Sequence, residues 1–209
     1  MKIEIDKDFA PSKIVCVGRN YADHAAELGN EVPAEPLLFL KAPSSLVFHN
    51  EEIVLPEVSR QVEHEGELGV VISKTCKHLA DNTNVMDHIL GFTCLNDITA
   101  RDLQRKDGQF ARAKSFDTFC PIGPVVETEL DISDIRVIVR VNEVAKQDGR
   151  TSQMVFPVDF LIRYISRMMT LNVGDVIATG TPSGVSSLSC GDICEVEIEG
   201  IGVLRNRVV

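Results

Sequence analysis

Apolar residues recur along this chain in short runs, not in long amphipathic stretches. Nine such runs, rich in β-branched residues and bounded by Gly, Pro, Asn or Asp, predict strands over residues 13–17, 37–40, 67–73, 91–96, 122–127, 135–142, 175–179, 193–198 and 203–208. Two helices have recognisable ends. In one, Pro157 suits a first helical position, Asp159 lies at the positive end of the dipole, Arg163 and Arg167 follow, and Leu161, Ile165 and Met168 repeat at helical spacing. In the other, Asn20 is a good N-cap, Asp23 falls in the first turn and Gly29 is a suitable stop. Strands and helices do not alternate regularly, and no fixed-period repeat is visible, so a doubly wound sheet or a βα barrel fits poorly. The expected fold is α+β and β-rich, built on mixed sheets, with residues 1–209 as one domain. The segment 31–36, with Pro33 and Pro36, is the expected mobile loop.

Composition narrows the functional classes. The chain has 209 residues, 44% hydrophobic and 25% charged, which is the make-up of a folded globular protein. A chain of this length buries roughly 70% of its unfolded surface. Its formal charge is −10, and no Lys/Arg cluster is present, so nucleic-acid binding through phosphate neutralisation is not expected. No apolar run approaches the roughly 18 residues of a membrane span, and charges occupy the N-terminus where a signal peptide needs its apolar stretch. The expected location is the cytoplasm. The six cysteines form no CxxC pair and read as reduced, half-buried small hydrophobes.

The acidic residues give the first sign of chemistry. If residues 62–71 form one strand, Glu63, Glu65 and Glu67 project from one face about 7 Å apart in succession. They would either point into water at a solvated edge or surround a cation, and the apolar run that follows at 68–72 favours a strand entering a core. Asp97 stands where a strand ends and a short helix begins; it serves either as a helix cap or as a further carboxylate. Glu65, Glu67 and Asp97 together would make an oxygen-only site suited to Mg²⁺ or Mn²⁺, with coordination positions open to water or a chelating substrate. His24 and Glu27, three apart on the short helix, are a surface pair or a general base with its orienting carboxylate. The segment 179–185, with two glycines, a proline and three hydroxyls, is either a tight turn or an anion cradle that includes Thr181. Lys41, Arg101 and Lys114 stand in stretches poor in other cations or flanked by apolar residues. Lys41 or Lys114 could steady an enolate oxygen, the alternative being ordinary ion pairing. His49, His64, His78 and His88 lack metal-ligand spacing, and no P-loop, GxSxG, GxGxxG or HExxH motif occurs.

Taken in order, these stretches resemble the fumarylacetoacetate hydrolase family: Gly18-Arg19-Asn20-Tyr21-Ala22-Asp23-His24 with Glu27, Phe39-Leu40-Lys41, Glu65-Gly66-Glu67-Leu68, Asn96-Asp97-Ile98-Thr99-Ala100-Arg101-Asp102 with Gln104, and Ala113-Lys114-Ser115-Phe116-Asp117. Further matches are Val141-Asn142, Gln147-Asp148-Gly149, the run from Ser166 to Leu171, and the Thr179-Gly180-Thr181-Pro182-Ser183-Gly184-Val185 turn. The resemblance implies a mixed β-roll, a homodimer, and Mg²⁺ or Mn²⁺ on Glu65, Glu67 and Asp97. It further implies His24 and Glu27 as a water-activating dyad, Lys114 and Gln104 as substrate-polarising groups, Arg101 and Thr181 as substrate-binding residues, and Lys41 near the site. Two turns depart from the family pattern, with Asn142-Glu143 in place of Asn-Gly and Val173-Gly174-Asp175 in place of Pro-Gly-Asp. The expected substrate is a small anionic 2-oxo acid. Cleavage of the C–C bond of an acylpyruvate is the leading expectation, because hydrolysis uses the complete His/Glu pair. Oxaloacetate decarboxylation or tautomerisation, or a hydroxymuconate-type isomerisation, would use the same site. A non-catalytic metal-binding domain is the alternative of another kind.

Overall fold

A computed structural model describes residues 1–209. Along the chain lie β1 (Lys2–Glu4), β2 (Ile14–Gly18), α1 (Ala22–Glu27), β3 (Leu37–Lys41), β4 (Leu46–Phe48), β5 (Glu52–Ile53), β6 (Val62–Glu63), β7 (Gly66–Ile72), β8 (Ile89–Asn96) and β9 (Thr99–Ala100). There follow α2 (Arg101–Asp107), α3 (Ala111–Lys114), β10 (Cys120–Glu127), β11 (Arg136–Val141), β12 (Val144–Arg150), α4 (Val158–Met168), β13 (Val176–Ala178), β14 (Ile193–Ile198) and β15 (Gly202–Val208). All nine expected strands form, with ends shifted by no more than two residues. No helix is long and apolar enough to cross a membrane.

The strands make two main sheets. The larger runs β1-β10-β8-β7-β13-β2-β3, with β4 alongside β10; the smaller runs β12-β11-β14-β15-β5. Both are mixed: β13 is parallel to β2 but antiparallel to β7, and β15 is parallel to β5. Alternation divides the larger sheet into two apolar faces. Leu68, Val70, Ile72, Val15, Val17 and Phe92 join Val137, Val139, Val196, Ile198 and Leu204 of the smaller sheet in one core. The opposite face carries a second cluster that includes Ile14, Cys16, Val71, Leu95, Cys120 and Val176. At Gly66 the two sheets approach so closely that an added Cβ would fall 2.2 Å from Val139 Cγ2.

That second face positions the site. Glu67 lies on β7 two and four residues before Gly69 and Val71, so it projects from the same side as Val71, opposite Leu95 of β8. Lys41 is paired with Ile14, and Phe39 with Cys16, which puts both β3 side chains on this face as well. Between β8 and α2 the backbone turns through Asp97, whose N–H donates to Glu65 O at 2.8 Å while Glu65 N–H donates to Asn96 Oδ1 at 2.9 Å.

Two expectations are corrected. Residues 62–71 are not one strand: β6 pairs with β9, β7 pairs with β8 and β13, and the chain changes ladders at His64-Glu65. Glu63 instead shares the Arg101 guanidinium with Glu65 and lies outside the group formed by Glu65, Glu67 and Asp97. Nor does Asn20 cap α1, whose N-cap position is Tyr21. Arg19 has φ +58°, and the reversal it introduces leaves Asn20 buried. There Asn20 Nδ2 donates to Thr179 O (2.7 Å) and Phe156 O (3.0 Å), and Oδ1 accepts from Phe156 N–H (2.8 Å). Cross-linking three segments satisfies a buried amide more fully than an exposed cap would.

Candidate active site

A cavity of about 270 Å³ opens on the second face, and its lining includes His24, Glu65, Glu67, Asp97, Arg101, Gln104, Lys114 and Thr181. Of the other expected site residues, Lys41 lies beneath Asp97 outside the lining, and Glu27 stands behind His24. The oxygens of Glu65, Glu67 and Asp97 can all lie within 4.8 Å of one another, and the three residues are buried.

Cations surround this acidic group. Lys114 Nζ donates to Glu65 Oε2 and Asp97 Oδ2, both at 2.7 Å. Lys41, 1% exposed, donates to Asp97 Oδ1 at 2.6 Å and to Ile98 O at 3.2 Å. Arg101 Nε donates to Glu63 Oε2 at 2.8 Å, its Nη2 to Glu65 Oε1, and its Nη1 to Gln104 Oε1 at 2.6 Å. Burial opposes ionisation of Glu65, but Lys114, Arg101 and His24 outweigh it and hold this carboxyl well below the ordinary range. For Lys114 burial favours the neutral amine, yet Asp97 and Glu65 prevail and keep it an ammonium.

Glu67 differs. No cationic side chain bonds to it; its Oε2 accepts only from Gly180 N–H, at 2.7 Å. Burial, then Asp97 and Glu65, push its carboxyl well above the ordinary range. With all four ionised, Glu63, Glu65, Glu67 and Asp97 exceed Lys41, Arg101 and Lys114 by one negative charge, which a proton on Glu67 or a bound cation would offset. A surplus carboxylate facing two others in a dry setting, with an oxygen-only donor set, fits a hard divalent cation, Mg²⁺ or Mn²⁺ in preference to Zn²⁺.

The remaining walls are fixed by backbone. His24 Nδ1 lies 3.3 Å from Glu27 Oε2, and Glu27 in turn accepts from Gly184 N–H at 3.0 Å. A proton on Nδ1 directed at that carboxylate leaves Nε2 as the acceptor. Thr181 Oγ1 donates to Gly66 O at 2.8 Å and accepts from Gln147 Nε2 at 2.8 Å. Gly180, at φ +97°, approaches so closely that a Cβ would meet Asn20 Cβ at 2.7 Å, and this is what lets its N–H reach Glu67. His64 is a structural residue, bonded through Nδ1 to Gln147 Oε1 (3.0 Å) and through Nε2 to Ser186 Oγ (2.8 Å).

Several lining residues carried no sequence signal of their own. Phe39 and Phe110 meet edge to face at 5.3 Å, and Lys114 Nζ lies 5.1 Å from the centre of the Phe39 ring. Arg19 and Arg105 complete the charged lining. Arg19 stands in the motif that contains His24, and Arg105 one turn beyond Arg101, so helical spacing could have drawn attention to the second.

Residues 13–209 match the family model described as fumarylacetoacetate (FAA) hydrolase C-terminal. The chain is 45% identical to the mitochondrial oxaloacetate tautomerase FAHD2A of Homo sapiens, over 95% of this chain and 67% of that protein. It is 42% identical to the oxaloacetate tautomerase YisK of Bacillus subtilis, over 95% and 70%. Among solved structures, 5-carboxymethyl-2-hydroxymuconate delta-isomerase from Mycobacterium smegmatis superposes with a TM-score of 0.90 at 45% identity, covering 96% of this chain and 80% of that one. These similar proteins are named as tautomerases and isomerases.

Proposed function

The chain belongs to the fumarylacetoacetate hydrolase family, and from that premise we propose that it is a divalent-metal-dependent enzyme interconverting the keto and enol forms of a small 2-oxo acid such as oxaloacetate. The observation that carries the reading is the buried Glu65, Glu67 and Asp97 triad, whose Glu67 bonds to no cation, at the base of a cavity that also presents His24 and Lys114. Glu65, Glu67 and Asp97 are the residues that would hold Mg²⁺ or Mn²⁺. When bound, the ion would supply a Lewis acid for the 2-oxo and carboxylate oxygens of the substrate.

The remaining steps belong to the chain's own residues. His24 Nε2 accepts a proton from C3, the C–H pair becomes the C2–C3 double bond, and the negative charge on the C2 oxygen is steadied by Lys114 Nζ. Protonation of that oxygen completes the enol; the reverse sequence returns the keto acid. Arg101, Gln104 and Thr181 orient the substrate, and Lys41 holds Asp97 in place. The His24–Glu27 contact of 3.3 Å favours a second reading, in which the same imidazole deprotonates a water that cleaves an acylpyruvate.

Oxaloacetate tautomerisation and acetylpyruvate cleavage, followed spectrophotometrically with Mg²⁺, with Mn²⁺ and with chelator, test both readings. Turnover of oxaloacetate that disappears in chelator and falls at least roughly 100-fold in His24→Ala is expected. Turnover indifferent to chelator would overturn the metal-dependent reading. Acetylpyruvate cleavage by wild type that is lost in His24→Ala would establish hydrolysis instead.

A further inference from the structure

The charges lining the cavity are not all spoken for. Arg101 and Lys114 are committed to Glu63, Glu65 and Asp97, whereas Arg19 bonds to no acidic group in the molecule and Arg105 reaches only the neutral amide of Gln61, at 3.2 Å. Arg19 and Arg105 are therefore the two cationic side chains of the lining with no carboxylate partner. The single carboxylate of an acylpyruvate, engaged at the chelating end, would leave both of these guanidiniums without an anionic partner.

Placement supports the same conclusion. Arg101 is buried and touches Glu65, while Arg105, one turn further along α2 at roughly 6 Å, is exposed, so the helix leads from the acidic floor towards the mouth. Arg19 is half-buried and sits directly after β2 at φ +58°, a conformation that disfavours an arginine and recurs where function constrains the backbone. The rings of Phe39 and Phe110 line the same cavity and offer an apolar wall for a short carbon chain.

We propose that Arg19, seconded by Arg105, binds the second carboxylate of a 2-oxo dicarboxylate and so selects dicarboxylic over monocarboxylic substrates. This rests on the metal-dependent 2-oxo acid reading above. The planar guanidinium of Arg19 suits a bidentate grip on a carboxylate, and its backbone position suits replacement by Asn, which tolerates the left-handed conformation.

Two dianions separate this role from a general electrostatic one. Oxalate places both carboxylates at the chelating end, whereas malate chelates through one carboxylate and its hydroxyl and leaves the other free to reach the mouth. Calorimetric titration of the Mg²⁺-loaded protein with each is expected to show that Arg19→Asn lowers the preference for malate over oxalate roughly tenfold or more, with Arg105→Gln giving a smaller drop and Arg19→Lys a partial recovery. The ratio of kcat/KM for oxaloacetate to that for acetylpyruvate should fall in parallel, at an unchanged melting temperature. A malate-to-oxalate ratio that stays constant in Arg19→Asn overturns the inference, as does a wild type that prefers acetylpyruvate. A wild type that binds neither dianion with Mg²⁺ and turns over no 2-oxo acid refutes the underlying reading.

Discussion

The molecule uses the same charged side chains in two settings. On the smaller sheet, Arg136 meets Asp148, Arg140 meets Glu197 and Arg205 meets Glu195, with Arg150 on Asp134 beside them, and all of these groups are open to solvent to a quarter or more of their surface. Beneath the cavity, Lys41, Arg101 and Lys114 meet Glu63, Glu65 and Asp97, and none of those side chains is more than 9% exposed. Water and salt screen the first set, so its pairs add little to stability; the second has lost its hydration and depends on every partner being present. Geometry is similar in both, and burial decides what each pair is worth.

The largest test of that contrast is Lys41→Met. It leaves Asp97 without one of its two cations in the dry cluster, and urea unfolding should show a loss of about 3–5 kcal/mol. A loss under about 1 kcal/mol would mean that the cluster behaves like the exposed ladder.

Asp175 lies between the extremes. Its side chain is fully buried, accepting from Ser12 Oγ at 2.6 Å and from the N–H groups of Lys13 (3.1 Å) and Asn172 (2.7 Å), yet its ionic partner Lys13 is partly exposed. Burial works against its ionisation, but the bonds from Lys13, Ser12 and Asn172 outweigh this and hold the carboxyl below its ordinary value. A depressed folded pKa contributes stability that is fully present above the unfolded value of about 3.9 and is lost as pH falls through the folded value. Asp175→Asn should therefore cost about 1–3 kcal/mol at neutral pH and lessen the acid loss below pH ~4, as read from urea midpoints across pH. An undiminished acid slope in the variant would assign that loss to other carboxylates.

The smallest effect is expected on the ladder. A double-mutant cycle over Arg136→Ala and Asp148→Ala should give a coupling below about 1 kcal/mol that shrinks further in 0.5 M salt, where the screening length is only about 4 Å.

How much of this could be read from the residues depends on where the information resides. Strands with an apolar face, such as β7, β8 and β14, announced themselves. β12 did not, because Val144–Arg150 is largely polar and mostly exposed, and its pairing with β11 rests on a two-residue turn in which Asn142 and Glu143 both take positive φ. Lys114, Asp97 and the two glutamates could be grouped by residue type and motif, but the exclusion of Glu63 required the change of ladder at His64-Glu65. The inward turn of Asn20 required Thr179 and Phe156, which are distant in sequence. Local propensity sees neither.

The strand order also bears on how the molecule comes to exist. Ile14 of β2 lies opposite Val176 of β13, and β13 is the only strand that connects β2 and β3 to the rest of the larger sheet. During synthesis at roughly 5–20 residues per second, roughly 8–30 s separate the emergence of these two neighbours. Until then the edge of β2 stands unpaired on its β13 side. So high a sequence separation places the chain among slow folders, and makes the nascent N-terminal third the part most in need of a chaperone.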